Sequence, residues 1–426
     1  MNGMFNPLKL SEHLALFGHV KIAIIGAGAV GSYLAEYCAK MGVGGITLVD
    51  FDTFTLENAA KHSGIIRTPE DVGRNKALAV AERTQTLMIP GGKANGIDAN
   101  LCMFGPMAFS QYDAVLLALD NYAAKVYFNQ LWLQLPLSER PLLIFGGTYE
   151  EMAQANCLDG HDACLQCLLD ESSLENSAAS TSCSGPQYRN IDGESVVVRT
   201  SGLASSMAAH LMTEQLRTFV IGNSDIANKR LCYTAYPNLG ITSSTPMQRR
   251  TCPDCAQYHP PEEITRLVGT VLERTLGELF SELSQRFGNE EYELLVHRLI
   301  FAGVGYGGFI LDDVCKSCGQ PLSGVYAHEG RTYFGDLLCE ECRQAGNKAF
   351  YDSLRKVGTS VHAFTPRTCS EALLEKTLFE LGYPLGAYLW TKQSGGATDA
   401  IDETPTYTCF TCSGDAERMN TISIAR

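Results

Sequence analysis

The sequence predicts a doubly wound α/β fold with a mostly parallel sheet, joined to zinc-knuckle elements and smaller C-terminal units. Three observations predict it. Short, nearly all-apolar runs end in a glycine loop or an acidic residue; amphipathic helical stretches separate them; and four Cys-x-x-Cys pairs follow downstream. Strands buried on both faces read as continuous apolar runs, and strands alternating with helices build a parallel sheet.

Residues 21–25, Lys-Ile-Ala-Ile-Ile, make the first buried strand. Gly26-Ala-Gly28-Ala-Val-Gly31 follows at once, and Leu34, Tyr37, Cys38 and Met41 then share one helical face. Gly45 to Val49 is a second buried strand ending at Asp50, which completes a βαβ unit of about 30 residues. Lys76 to Leu87 is predicted as a helix. Ala114 to Leu119 is a strand ending at Asp120-Asn121, Ala123 to Leu133 a helix, and Pro141 to Phe145 a strand closed by Gly146-Gly147.

Residues 170–194 are rich in Ser, Asn, Gly and Thr and read as a long crossover loop, a type that is often functional. A helix over 202–221 and a strand over 231–236 lead to Cys252-Pro-Asp-Cys255. Pro260-Pro261 marks the end of a first domain, 1–260. Residues 262–300 read as helical and amphipathic, and 308–345 hold the second set of cysteine pairs around a hairpin at 324–334. Together, 262–365 form a helical and zinc-knuckle module. Residues 366–426 form a small α+β unit, with a helix at 370–381 and strands at 387–390 and 406–410.

The composition is that of a globular chain: 45% hydrophobic and 19% charged over 426 residues. The net charge of −14, with no dense Lys/Arg cluster, argues against nucleic acid or an anionic membrane as the main partner. No apolar run reaches the roughly 18 residues of a membrane helix. Eight of the sixteen cysteines fall into the pairs Cys164/Cys167, Cys252/Cys255, Cys315/Cys318 and Cys339/Cys342. Without a basic-then-apolar leader at the N-terminus, such pairs indicate zinc rather than disulfides, and a cytoplasmic protein.

A glycine loop between a strand and a helix lets phosphate approach the backbone, where the helix terminus offers free N–H groups and a partial positive charge. Asp50 stands nineteen residues after Gly31, where a carboxylate can accept ribose hydroxyls. Up to this point a nicotinamide dehydrogenase fits best. The stretch that follows changes the reading: Asp50-Phe-Asp52 leads to Asn58-Ala-Ala-Lys61, then Gly73-Arg-Asn-Lys76, then Asp120-Asn121.

Over about residues 10–260 this pattern resembles the ThiF/MoeB/ubiquitin-activating superfamily. The resemblance implies ATP and Mg²⁺ as cofactors, with Gly26, Gly28 and Gly31 forming the phosphate loop. It implies Asp50 on the ribose, Asn58, Lys61 and Lys76 near the phosphates, Asp120 at the magnesium, and Asn121 among the cofactor-binding residues. Carboxylate adenylation brings two anions together, so cations must offset the repulsion; Lys76, Lys61 and Arg74 are the candidates.

Two departures stand out. Lys61 occupies a position where the family usually has arginine, which loses the bidentate fork. Residues 1–20 contain no arginine, whereas many relatives reach an N-terminal arginine into the neighbouring subunit.

The spacing Cys315-x-x-Cys318, twenty residues, Cys339-x-x-Cys342 reads as a zinc site on its own. Cys164/Cys167 and Cys252/Cys255 are too far apart for spacing to decide, but relatives carry such knuckles flanking the crossover segment. Cys409-Phe-Thr-Cys412 lies on an alternating strand that points its thiols to opposite faces, so it reads as packing.

Within the crossover loop, the resemblance makes Cys183 the candidate nucleophile, with Cys157 as the alternative and Arg189 as an activating charge. A thiolate attacks an acyl-adenylate to give a thioester. The implied activity is therefore activation of a ubiquitin-like protein at its C-terminal glycine, with transfer to a conjugating enzyme. The implied setting is a homodimer in a specialised bacterial, antiviral-defence type of conjugation system. Sulfur-carrier activation for thiocarboxylate formation is the first alternative. A non-catalytic pseudo-activator and a dinucleotide dehydrogenase are the others.

Overall fold

The computed structural model describes residues 10–56, 62–63, 66, 69–120, 122–149, 152–161, 163–168, 187–189, 195–197, 201–222, 229–235, 239–245, 252–288, 292–295, 299–301, 304–306, 309–315, 317–328, 338–346, 360–361, 363–367, 369, 371–393 and 406–419. It divides into two compact units. One comprises Met1–Leu101, Phe109–Pro260 and Asn420–Arg426; the other comprises Cys102–Ala108 and Pro261–Met419.

The first unit opens with α1 (Leu10–Phe17), β1 (Lys21–Ile25), α2 (Ala29–Met41), β2 (Gly45–Val49), α3 (Lys76–Gln85) and β3 (Lys93–Ile97). It continues with β4 (Ala114–Leu117), α4 (Tyr122–Leu133), β5 (Leu142–Tyr149), β6 (Met152–Leu158) and a small pair, β7 (Gln187–Arg189) and β8 (Ser195–Val197). It closes with α5 (Gly202–Val220), β9 (Lys229–Thr234), β10 (Gly240–Ser244) and α6 (Pro253–Gln257).

One sheet runs β10-β9-β6-β5-β4-β1-β2-β3. The strands β3, β2, β1, β4 and β5 are parallel. β6, β9 and β10 add an antiparallel edge. The apolar runs are buried on both faces, as parallel strands require. Ile22, Ile24, Ala114 and Leu116 join the core formed with α2, α3 and α5. The alternate residues Ala23, Ile25, Val115 and Leu117 are equally buried. Strand order reverses between β1 and β4, and in such sheets that switch point opens the crevice where ligands bind.

Gly146-Gly147 does not close β5. The strand runs through both residues to Tyr149 and pairs with β6. A Cβ on Gly146 would lie 2.6 Å from the Gln154 carbonyl and 2.7 Å from the Met212 sulfur. The glycine therefore serves close helix–sheet packing, not a turn.

The second unit contains β11 (Ile264–Leu267), α7 (Leu276–Phe287), β12 (Tyr292–Leu295), β13 (Leu299–Phe301), β14 (Val304–Tyr306), β15 (Phe309–Val314) and β16 (Pro321–His328). α8 (Glu340–Ala345), β17 (Ser360–Val361), β18 (Ala363–Phe364), β19 (Leu389–Gln393) and β20 (Thr406–Cys412) follow.

Its main sheet, β11-β20-β19-β12-β18, interleaves strands from 264–364 with strands from 389–412. The separate unit expected at 366–426 is therefore not a separate body. The all-helical reading of 262–300 also fails, because two strands flank α7. α7 itself is well signalled: Thr275 and Glu278 form a capping box and Gly288 ends it in the left-handed conformation.

The helix expected at 370–381 stops at Leu374. Beyond it the backbone bonds sideways, Leu276 N–H donating to the Lys376 carbonyl and Leu378 N–H to the Arg274 carbonyl. Of the hairpin expected at 324–334, β16 pairs with β15, and 329–337 lie outside the described residues.

The segment Cys102–Ala108 was not foreseen as part of this unit. Leu385 N–H donates to the Met103 carbonyl, Gly105 N–H to Leu385 and Met107 N–H to Gly386.

Cys409 and Cys412 are buried on β20, and burial pushes both thiols up to about 12. Asp415 is fully buried and accepts N–H bonds from Val271 (2.8 Å) and Gly386 (2.9 Å). Burial raises its carboxyl to about 7. A carboxyl raised above its unfolded value gives stability that is present in acid and lost as pH climbs through about 7. The melting temperature of the wild type relative to Asp415→Asn is therefore expected to fall between pH 5.5 and 8. A difference independent of pH would show that Asp415 does not titrate there.

Candidate functional site

The site is built where β1, β2 and β4 end. Gly26 leaves β1 with φ +95°, a conformation that favours glycine, and a Cβ there would sit 2.8 Å from the Ala118 carbonyl. Gly31, in the first turn of α2, lies so close to Gly26 that a Cβ would approach its carbonyl oxygen to 1.9 Å. Gly28 caps α2 and differs from both, because a Cβ there would meet nothing within 4 Å. Two glycines are thus required by helix–strand packing, and the third leaves open space at the helix N-terminus. The unbonded N–H groups of that first turn make such a place suited to an anion.

Asp50, at the end of β2, folds back on this loop. Its carboxylate accepts the Ala27 N–H at 2.7 Å and the Asp52 N–H at 2.9 Å. Burial raises its pKa, against the lowering effect of those two bonds and of Lys76. A carboxylate has about four lone-pair positions, so room remains for hydroxyl donors.

The Lys76 ammonium lies 3.0 Å from the Asp52 carboxylate. This pairing rests on a short backbone clasp. Lys76 N–H donates to the Asp52 carbonyl, Phe54 N–H to Arg74 and Gly73 N–H to Phe54. Asn75 locks the clasp. Its side-chain oxygen caps α3 by accepting from Leu78 N–H, and its amide donates to the carbonyls of Asp50 and Asp52. Sequence reasoning missed both Asp52 as a partner of Lys76 and Asn75 as the clasp. The available signal was an Asn immediately before a helix start.

Asp120 is exposed just past β4, on the other side of the switch point from the glycine loop. Lys125, one turn into α4, was also missed. Its ammonium donates to the Gly146 carbonyl at 3.3 Å. Desolvation lowers it to about 8, while the negative charge of Asp120 acts in the opposite direction.

The structure therefore places Gly26, Gly28, Gly31 and Asp50 in one contact set and Lys76 beside Asp52, with Asp120 at the neighbouring strand end. Asn58, Lys61, Asn121 and Cys183 lie outside the described residues. Arg74 is not a free phosphate cation: its guanidinium is engaged by Asp71 at 2.9 Å and Glu82 at 2.5 Å. The alternative nucleophile Cys157 is fully buried in the sheet core, and desolvation pushes its thiol up to about 12. A thiol so placed is inert.

Both four-cysteine clusters form. In each of them, Cys164/Cys167/Cys252/Cys255 and Cys315/Cys318/Cys339/Cys342, the sulfurs lie within 4.8 Å of one another. In the first cluster Cys164–Cys167 is 3.8 Å, Cys164–Cys252 3.6 Å and Cys167–Cys255 3.6 Å. Four thiolates around one zinc at 2.3 Å stand about 3.8 Å apart, so the spacing fits that ion. Crowding and burial push the Cys164 thiol up, and burial raises Cys255 to about 11, the environment a cation would reverse. In the second cluster the Cys339 backbone N–H holds Cys315 down to about 6.

Asp254, between Cys252 and Cys255, is 3% exposed. It accepts from Asn129 at 2.7 Å and Gln130 at 3.4 Å. The Gln166 amide, with its nitrogen turned towards Asp254, reaches both carboxylate oxygens at 2.5 Å.

Among known proteins, the Nedd8-activating enzyme E1 catalytic subunit of Drosophila melanogaster is 29% identical over 160 residues, 35% of either chain. The sulfur carrier protein adenylyltransferase of Thermus thermophilus is 29% identical over 130 residues, 30% of this chain and 45% of the relative. The chain thus spans less than half the length of these relatives. The solved structure of Escherichia coli MccB with ATP shares 18% identity over 57% of this chain and 68% of that chain, with a TM-score of 0.44. The ThiF family profile matches residues 9–256. That match runs from the first helix through the whole eight-stranded sheet to the second cysteine knuckle, and on it this chain belongs to the ThiF family.

Proposed function

We propose that this protein adenylates the C-terminal carboxylate of a ubiquitin-like protein with ATP and then takes the acyl group onto Cys183. The carboxylate oxygen attacks the α-phosphorus and pyrophosphate leaves. The Cys183 thiolate then attacks the acyl carbon, forming the thioester and releasing AMP. A conjugating enzyme is the acceptor, and the protein works as a homodimer in the bacterial cytoplasm.

One observation carries the reading. A phosphate-type glycine loop, a ribose-type carboxylate and a lysine held at the strand edge meet beside the switch point. Asp50 would take the ribose hydroxyls, the loop and Lys76 the phosphates, with Asn58 and Lys61 close by. Asp120 would hold Mg²⁺, which usually binds one or two carboxylates plus substrate phosphates and offsets their charge, with Asn121 beside it in the nucleotide site. Zinc in the cysteine clusters is structural in this reading, because four thiolates leave no open position.

The test is partner-dependent ATP–pyrophosphate exchange with small ubiquitin-fold proteins ending in glycine, followed by non-reducing gels. Exchange with a thiol-labile adduct that disappears in Cys183→Ala, while exchange persists, is the expected result. Exchange yielding a thiocarboxylate and no adduct would favour sulfur-carrier activation, a reading supported by the Thermus similarity. Binding of the partner without exchange would leave a pseudo-activator. NAD binding in place of ATP would restore the dehydrogenase.

A further inference from the structure

Helix α4 joins two places that are separate in the sequence. It begins at Tyr122, two residues after Asp120, and carries Lys125 in its first turn. About 10 Å further along, at 1.5 Å per residue, Asn129 faces the first cysteine cluster. Asn129 is fully buried, and its one side chain spans both knuckles. Its oxygen accepts the N–H of Leu165, which sits between Cys164 and Cys167. Its nitrogen donates to Asp254, which sits between Cys252 and Cys255. Gln130 on the same helix donates to the other oxygen of Asp254.

α4 has other anchors: Phe128 stacks edge-on against Phe109 at 4.9 Å, Trp132 donates to the Pro141 carbonyl, Lys125 donates to the Gly146 carbonyl, and the Leu133 carbonyl accepts from Arg140. Apolar packing tolerates small slides along a helix axis. The Asn129 tie differs in that one buried side chain bridges both knuckles: losing its Leu165 bond leaves a desolvated N–H, and losing its Asp254 bond leaves that carboxylate to Gln130 and Gln166.

We propose that Asn129 is a positioning residue that ties helix α4 to the 164/167/252/255 cluster and so sets where Asp120 and Lys125 stand at the nucleotide edge. Zinc in the cluster fixes Leu165 and Asp254 relative to one another. Asn129 transmits that fixed geometry to α4. The functional part of this inference rests on the adenylation reading; the mechanical part does not.

The test uses the full chain with zinc bound and three variants: Asn129→Asp, Asp254→Asn and the two together. Asn129→Asp keeps the acceptor for Leu165 but turns a carboxylate towards Asp254. The double variant restores a donor–acceptor pair with its direction reversed. Hydrogen exchange of the amides at 122–128 is compared with that at 29–41, alongside zinc release to a chelator and the KM and kcat for MgATP.

Asn129→Asp is expected to release zinc roughly tenfold to a hundredfold faster, the usual cost of losing an outer hydrogen-bond partner of a metal site. Exchange at 122–128 should quicken with no change at 29–41, and the KM for MgATP should rise severalfold with kcat little altered. The double variant should recover all three. Wild-type protein stripped of zinc should show the same α4 exchange pattern, which keeps the test decisive if the single variant fails to fold. Unchanged α4 exchange on zinc removal, or a folded double variant that recovers nothing, would overturn the proposal. If wild-type protein binds no MgATP, the adenylation reading falls, and the exchange data still decide the tie.

Discussion

Lys76→Met should reduce ATP–pyrophosphate exchange by roughly two to three orders of magnitude, the usual effect of removing one preorganised charge from a transition state. The ammonium is held at the strand edge by Asp52 at 3.0 Å, and only 10% of its side chain is exposed. Its position is set by backbone, since α3 begins at Lys76 and Asn75 clasps that start to the Asp50–Asp52 turn. On the proposed reading the cation is therefore in place before phosphate arrives, so the developing charge meets a cation already positioned.

Most of the loss should fall on kcat, because the charge on pyrophosphate grows as the bond breaks. Lys76→Arg should recover little, since the planar fork does not reproduce a point charge at this site. Asp120→Ala should give a loss of similar size through the metal. Thermal unfolding supplies the control: a pair that is partly exposed contributes on the order of 1 kcal/mol or less to stability. Exchange within threefold of wild type in either variant would refute the assignment of these residues.

Cys252→Ser should lower zinc content from two ions per chain to one and destabilise the first unit severely. Structural zinc contributes apparent binding energies of roughly 10–16 kcal/mol near pH 7, and folded domains spend that energy in holding their loops. Here the cluster closes two knuckles whose intervening residues, Leu165 and Asp254, are buried against α4. Without the ion, the raised thiols of Cys164 and Cys255 stay protonated, and a buried Asp254 loses the frame that satisfies it.

The expected result is a drop in melting temperature of more than about 5 °C, since even 1 kcal/mol moves a domain of this size by about 2–4 °C. Cys409→Ser is the contrast, a packing cysteine outside both four-cysteine clusters, whose loss should leave zinc content at two. Zinc is counted by release to a chromophoric chelator after thiol modification. An unchanged count in Cys252→Ser would remove the metal from the account.

Much of the first unit was legible because its signals are local. Buried runs at 21–25 and 45–49, the helix after Gly31 and the strand before Asp120 depend on side-chain periodicity within one element. The glycine loop and the Cys-x-x-Cys turns are equally local, since each fixes a backbone shape over a few residues. Even there, tertiary packing overruled a local reading. Gly146-Gly147 looked like a turn and proved to be strand interior, because Met212 of α5 needs the space.

What the tertiary structure decided was partnership across long separations. Asp52 with Lys76, 24 residues apart, and Asn129 with Asp254, 125 apart, are pairings that no short window of sequence displays. The sheet of the second unit mixes strands more than a hundred residues apart and recruits Cys102–Ala108 into the same unit. The physical reason is that a strand or helix signal states which face must be buried but not against what. Residue types at the right spacing therefore marked the glycine loop, the acid and the cysteines, while closing the chain in space determined which group each of them faces.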